Sequence, residues 1–477
     1  MRLWRAPRRG APVAALFALC AGLAGADPSV AQTAPGGAVD DLAAPKTNAA
    51  APSLDRLEGH GGPIKGVAVS SDGRLAATAS FDYALGLWDL ASGARLTWLD
   101  GHEAAANAAL FLPDGRLVSG GDDFALMLWD LSGDSAPLRL EGHQNKIQNL
   151  ALSPMGDLIA SASWDGDIGL WRLSSEGDAA LEAMLDGHQS GVNDVAFSAD
   201  GAALFSASTD GTVRRWDLET RSLKRIEARH GFGVNLLTLN ETAEGGGWLA
   251  YGGADGIVRV QDLASGAEIA LLDGERRPIL AMAESPDGQR LAYGDGEGYI
   301  SVVRTADWSL EREFRAVTRG PIWALAFKDD ETLLAGGLDD FAAVWPIGAA
   351  EAPLFPKDAP RRFQVAADEV SNGERQFARK CSVCHTLTPD SRRRAGPTLF
   401  GVFGRRAGAL SGYAYSPALL ASDIVWSPET LDKLFDIGPD HYTPGSKMPM
   451  QRIVDPSDRA DLISYLRAAT GAAPQDP

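Results

Sequence analysis

The sequence predicts two domains of different class: an all-β domain built from repeated units, followed by a small all-α domain. Three observations carry that expectation, namely a recurring His, Asp and Trp pattern, a Pro-rich break after it, and helical apolar spacing beyond the break. A chain of 477 residues is also too long for one ordinary domain. Gly-His pairs stand at Gly59-His60, Gly101-His102, Gly142-His143 and Gly187-His188, and 27 or 28 residues after each histidine comes Trp88, Trp129, Trp171 or Trp216. The tryptophans are 41, 42 and 45 residues apart. That step is the length of a four-stranded propeller blade. Continuing it lands on Gln261-Asp262, Val303-Arg304 and Trp345-Pro346, so seven units fit, and residues 54–347 are assigned to an all-β, seven-bladed propeller.

An acidic residue six positions before each end point reinforces the period: Asp82, Asp123, Asp165, Asp210, Asp255, Glu297 and Asp339. Within units, runs such as "VAVSSDGRLAATAS" place Asp-Gly between two half-buried strands, a hairpin signal. These residues resemble WD repeats, well matched in the first four units and degraded in the last three. The resemblance implies a closed propeller in which a strand near Leu54 to Glu58 completes the seventh blade and removes an open edge. It also implies that His60, His102, His143 and His188 are buried scaffold, bonded to the Asp, a Ser or Thr and the Trp of their own blade, since buried polar groups need partners. Such histidines are poor candidates for metal ligands.

Residues 1–26 read as an export signal, with Arg2, Arg5, Arg8 and Arg9 ahead of an apolar run from Ala11 to Gly25 and a cut near Ala26. That run is rich in Ala and Gly and short of the roughly 20 apolar residues a span needs. The expected location is therefore the periplasm, with no membrane span once the signal is removed. Residues 27–53 form an Ala- and Pro-rich linker, residues 348–363 a Pro-rich one, residues 364–472 the all-α domain, and residues 473–477 a tail. The formal net charge of -19 is uneven: residues 54–346 carry 23 basic and 45 acidic side chains, whereas residues 364–477 carry 13 of each. An acidic propeller disfavours nucleic acid as a partner. Arg392, Arg393, Arg394, Arg405 and Arg406 gather after the cysteine motif, where they could steer an acidic protein, dock on the chain's own propeller, or form a solvated loop.

Cys381-Ser382-Val383-Cys384-His385 is the Cys-x-x-Cys-His pattern of covalent haem attachment. Two thiols three residues apart reach the two vinyl groups of one porphyrin, and His385 offers an imidazole to the iron. A zinc site would need a fourth ligand, and a redox disulfide would need no following histidine. The surroundings resemble class I cytochrome c. In that family Gly373 and Phe377 would pack a first helix, read over Glu369 to Arg379, on Leu462 and Tyr465 of a last helix, read over Pro456 to Thr470. The resemblance further implies that the Pro397 carbonyl accepts the second imidazole proton of His385, and that Met448 in "YTPGSKM" is the sixth ligand. Met450 and His441 are the other sixth-ligand candidates, and the Pro-Gly-Ser-Lys context favours Met448. Tyr415 and Trp426 match propionate donors, and Arg405 a nearby basic residue. Leu419 stands where a haem-facing Asn is common, and Leu434 or Phe435 where the family has a Tyr.

Ligation by His385 and Met448 would fill both axial positions of one covalent haem c and leave single-electron transfer as the chemistry. The reading is thus an exported cytochrome serving redox partner proteins, with the propeller as docking platform and no small-molecule substrate identified. The alternative is a redox enzyme whose propeller binds a substrate or second cofactor, for which His230 and His441 are the histidines left over. A redox-sensing scaffold is a third reading.

Overall fold

The computed structural model describes residues 55–133, 135–174, 177–241, 246–273, 278–317, 320–348, 370–382, 384–389, 394–413, 415–444, 446, 448 and 452–470. The export signal, the linker over residues 27–53, the second linker apart from Gly348, the tail, Arg392, Arg393 and Met450 lie outside them.

Residues 56–346 form seven four-stranded antiparallel sheets, six of them meanders of strands consecutive in sequence and the seventh joining the first strand of the chain to the last three. Blade 1, for example, runs Ile64–Val69, Leu75–Ser80, Ala84–Asp89 and Arg95–Asp100. Second strands such as Leu158–Ser163 and Ala203–Ser208 are buried at every residue. Their small and aliphatic side chains suit a strand covered on both faces by neighbouring blades. Outer strands such as Ser222–Arg229 are exposed and charged, which blunts the free edge. The ring closes as the resemblance implied: Arg56–Glu58 pairs with Phe341–Pro346 in the register Arg56↔Ala343, Leu57↔Ala342, Glu58↔Phe341. Leu57 is fully buried there, so the first strand of the chain seals the last blade.

In blades 1 to 4 one hydrogen-bonded chain ties three strands together. In blade 3 the Trp171 ring N–H donates to Ser161 Oγ at 2.8 Å, Ser161 lies 2.7 Å from His143 Nε2, and His143 Nδ1 lies 2.8 Å from Asp165. The indole can only donate and the carboxylate can only accept, so the hydroxyl donates to Nε2 and the proton of the imidazole sits on Nδ1. Blades 1, 2 and 4 repeat the arrangement with Thr78, Ser119 and Ser206. Blade 5 substitutes for it. His230, left over in the sequence reading, has a buried side chain whose Nδ1–H donates to the Phe232 carbonyl at 3.1 Å, while Arg259 donates to Nε2 at 2.6 Å. Arg259 also reaches Asp255 at 2.8 Å. Since Nε2 is an acceptor here, its 3.2 Å approach to Asp255 is not an ion pair.

The C-terminal region is helical: α1 (Asn372–Lys380), α2 (Pro417–Leu420), α3 (Pro428–Ile437), α4 (Pro439–Tyr442) and α5 (Pro456–Ala469). The first begins at Asn372, three residues later than the apolar spacing suggested, because the Ser371 hydroxyl accepts from the Glu374 amide and sets the cap. The α1–α5 crossing is close: a Cβ on Gly373 would lie 2.1 Å from the Asp461 carbonyl oxygen. One turn on, the Phe377 and Tyr465 rings pack with centroids 5.9 Å apart over buried Leu462 and Leu466. Arg459 then ties α5 to α3 through Asp432 at 2.7 Å and Asp436 at 3.2 Å.

Candidate functional site

The cysteine motif occupies the turn that prolongs α1. The Cys381 amide donates to the Phe377 carbonyl at 2.9 Å and the His385 amide to the Cys381 carbonyl at 2.8 Å. A spacing of three along a helical turn puts Cys381 and Cys384 on one face, with His385 beside them. All three line a cavity of about 1060 Å³, its open mouth included. The lining is mostly apolar: Leu399, Val402, Leu419, Leu431, Leu434, Phe435 and Leu466. Pro397, Arg405, Tyr415, Trp426 and Met448 line it too, so the eight residues assigned to the haem site in the sequence share this one cavity.

The His385 ring is fixed from behind. Its Nδ1 lies 2.7 Å from the Pro397 carbonyl, which can only accept, so Nδ1 carries the proton and Nε2 keeps its lone pair. Gly396 is needed for this placement, because a Cβ there would sit 2.3 Å from Cε1 of the imidazole. Burial holds the His385 pKa below the ordinary histidine range, outweighing the Pro397 hydrogen bond that favours the charged form. The side chain is thus a neutral donor, the form in which imidazole binds metal.

Met448 packs against the core formed by Phe377, Leu434 and Phe435. Its loop is pinned at both ends. On one side the Ser446 amide donates to Thr443 at 3.0 Å, and on the other the Ile453 amide donates to the Phe435 carbonyl at 2.9 Å. Arg452 adds a bond to the Asp436 carbonyl at 2.7 Å. Arg405 is held inside the domain by the Phe400 and Thr398 carbonyls, and burial lowers its pKa. Arg406 serves the Leu420 and Ser422 carbonyls at the end of α2. The arginines of this segment are therefore not one patch among the described residues. His441 lies in α4, exposed and outside the cavity lining.

The donor set fits a porphyrin iron better than zinc. Zinc would need a fourth ligand in a closed tetrahedron, whereas here two thiols and one imidazole line one wide, mostly apolar cavity. Among the described residues no three His, Cys, Asp or Glu side chains converge as a metal site.

Comparison with known proteins gives the same division. The family model for the WD domain, G-beta repeat, matches residues 52–89, 93–130, 136–172 and 180–217, and that for cytochrome c matches residues 370–470. Curated cytochromes c from Sesamum indicum, Ginkgo biloba and Theileria parva are 38%, 41% and 43% identical to the C-terminal region, which covers 96%, 86% and 90% of their lengths. The chain belongs to the cytochrome c family. These relatives match only 20–22% of it, so the family accounts for the helical domain and the WD repeats for the propeller ahead of it. A cytochrome c domain implies haem c and electron transfer, and a WD-repeat propeller implies protein partners. No helix among the described residues is long and apolar enough to cross a membrane.

Tyr83 is a cavity residue that the sequence reading missed. It belongs to the propeller.

Proposed function

We propose that this chain is an exported, periplasmic cytochrome that carries single electrons, with one haem c attached at Cys381 and Cys384, His385 and Met448 as axial ligands, and the propeller as a platform for protein redox partners. The observation that carries the reading is the oriented His385: its Nδ1 proton is committed to Pro397, and its Nε2 is left for the cavity that Met448 also lines. When bound, haem iron supplies one-electron exchange between ferric and ferrous states. The chain's own residues do the rest. The apolar lining excludes water and its burial keeps the imidazole neutral, the Pro397 carbonyl holds it in one tautomer, and the pinned loop brings the Met448 thioether to the same cavity. Tyr415, Trp426 and Arg405 supply donors for the carboxylates of the porphyrin, which burial would otherwise penalise.

The test is the native protein from the exporting cell, unfolded in acid and organic solvent. Haem that stays with the polypeptide is the expected result, and haem that extracts overturns covalent attachment. Met448→Ala in the same protein is expected to lower the midpoint potential within the span of about 0.8 V that axial ligands command, and to open the ferrous protein to carbon monoxide. An unchanged spectrum and potential would remove Met448 as a ligand.

A further inference from the structure

The turn between the second and third strands of a blade carries Asp-Gly in blades 3 to 5 and Glu-Gly in blade 6, with Gly166, Gly211, Gly256 and Gly298 at positive φ. Blade 2 has Asp123-Phe124, with Phe124 at φ 66° and exposed, and blade 1 has Asp82-Tyr83, where Tyr83 takes φ 72°. A bulky side chain in the left-handed region is strained, so the structure holds an aromatic ring where glycine would sit without strain. The ring is used. Tyr83 lines the cavity of the cytochrome c domain together with Cys384, Ala395 and Tyr413. Burial, and next the proximity of Cys384, raises its phenol pKa above the ordinary tyrosine range.

A second contact joins the same two surfaces. Arg394, three residues before the Pro397 that orients His385, donates through Nη1 to the Gly61 carbonyl at 2.7 Å and lies 3.9 Å from Asp340 of blade 7. Its side chain is 12% exposed. Gly61 is a rigid anchor, because its own amide donates at 2.8 Å to Asp82, the carboxylate of the blade 1 histidine. Phe81, on the other side of Asp82, stacks on Trp323 of blade 7 with centroids 5.6 Å apart. The turn that presents Tyr83 is thus braced from both blades.

We propose that the propeller is a wall of the haem crevice: the blade 1 turn closes the side next to Cys384 through the Tyr83 ring, and Arg394 latches the cytochrome c domain onto blades 1 and 7. Solvent and small redox agents then reach the iron more slowly than they would in the helical domain alone. The burial also disfavours the extra positive charge of the ferric state, so the propeller raises the midpoint potential. The inference rests on the haem reading above.

The test uses the full-length protein carrying Tyr83→Gly. Glycine is the residue that four other blades place at this turn, so the variant removes the ring without harming the fold, and relief of strain should leave the propeller at least as stable. An uncharged hydroquinone is the reductant, which removes any effect of charge on the encounter. Tyr83→Gly and Arg394→Ala are expected to accelerate reduction several-fold and lower the potential, while Tyr83→Phe stays at the wild-type rate. Hydrogen exchange at amides 82–84 and 61–62 should speed up in Arg394→Ala. Wild-type rates and wild-type exchange in both variants would overturn the proposal. A chain that carries no haem absorbance would instead sink the functional reading, and the exchange measurement on that sample would still report whether the two surfaces are latched.

Discussion

Both regions of this molecule bury histidines, and both fix them by the Nδ1 proton, yet they put them to opposite uses. In blade 3, His143 gives Nδ1–H to Asp165 and accepts at Nε2 from Ser161, so both nitrogens are consumed by the fold. In the cytochrome c domain, His385 gives Nδ1–H to Pro397, and the bond recorded for the ring among the described residues ends there. Its other nitrogen belongs to a cavity. With Nδ1 committed to Pro397, the lone pair of Nε2 is available to a metal-bearing group that enters the cavity. A buried histidine is therefore classified by its second nitrogen, and burial alone does not distinguish scaffold from ligand.

The sharpest way to break that contrast is to delete each ring. His385→Ala should abolish the axial bond and with it the absorption bands of low-spin haem, while the propeller unfolds at its usual temperature. His143→Ala should do the reverse. It leaves the Ser161 hydroxyl and one face of Asp165 unsatisfied in a packed sheet, a cost of about 2–4 kcal/mol, with the haem spectrum intact. Thermal unfolding followed by circular dichroism, read beside the visible spectrum of the same sample, checks both. If either variant damages both signals equally, the two histidine classes are not separable.

Acid sharpens the comparison from the carboxylate side. Burial works to raise Asp123 and Asp165, but the hydrogen bonds from His102 and His143 and from backbone amides outweigh it and hold both at about 2. These values lie below the unfolded-state value of about 3.9, so the two groups add stability above that pH and lose it as the pH falls from about 4 towards 2. Propeller unfolding, followed by tryptophan fluorescence, should steepen in that window. Asp165→Asn should blunt the steepening. An acid transition complete above pH 5 would point to other groups.

How much of this was legible in the sequence depends on whether the partners repeat. The blade count could be read because Trp88, Trp129, Trp171 and Trp216 recur at nearly equal steps, and the acidic turn residue persists after the Trp is lost. The cavity lining could be read because Cys381, Cys384, His385, Pro397 and Met448 sit in short motifs whose spacing carries the chemistry. What could not be read was pairing across long separations. Tyr83 meets residues of the cavity some 300 positions away in the chain, and the local signal, an aromatic in a slot that blades 3 to 6 fill with glycine, is shared by Phe124 of blade 2. The arginine segment was legible in part, since docking on the chain's own propeller was one of the three uses it offered and Arg394 takes it. Arg405 and Arg406 instead serve carbonyls inside the helical domain.

Blade 5 supplies the smallest and most discriminating case. Its histidine was missed because the dipeptide is reversed, His230-Gly231, and because Arg259 has replaced the hydroxyl and indole as the partner of Nε2. The ring is as buried as those of blades 1 to 4, but its neighbours are less dependent on it. Arg259 and Asp255 hold each other at 2.8 Å whether or not the imidazole is there, and the Phe232 carbonyl lies in an exposed loop where water can replace the lost donor. His230→Ala should therefore cost only about 1 kcal/mol, the net value of a typical hydrogen bond, against the larger loss in His143→Ala. Adding Arg259→Ala to His230→Ala would then strip Asp255 of its remaining side-chain partner and bring the loss up towards that of blade 3. Equal losses for the two single variants would mean that the repeat's stability comes from filling the space of the ring, and that the hydrogen-bonded chain through serine and tryptophan adds nothing of its own.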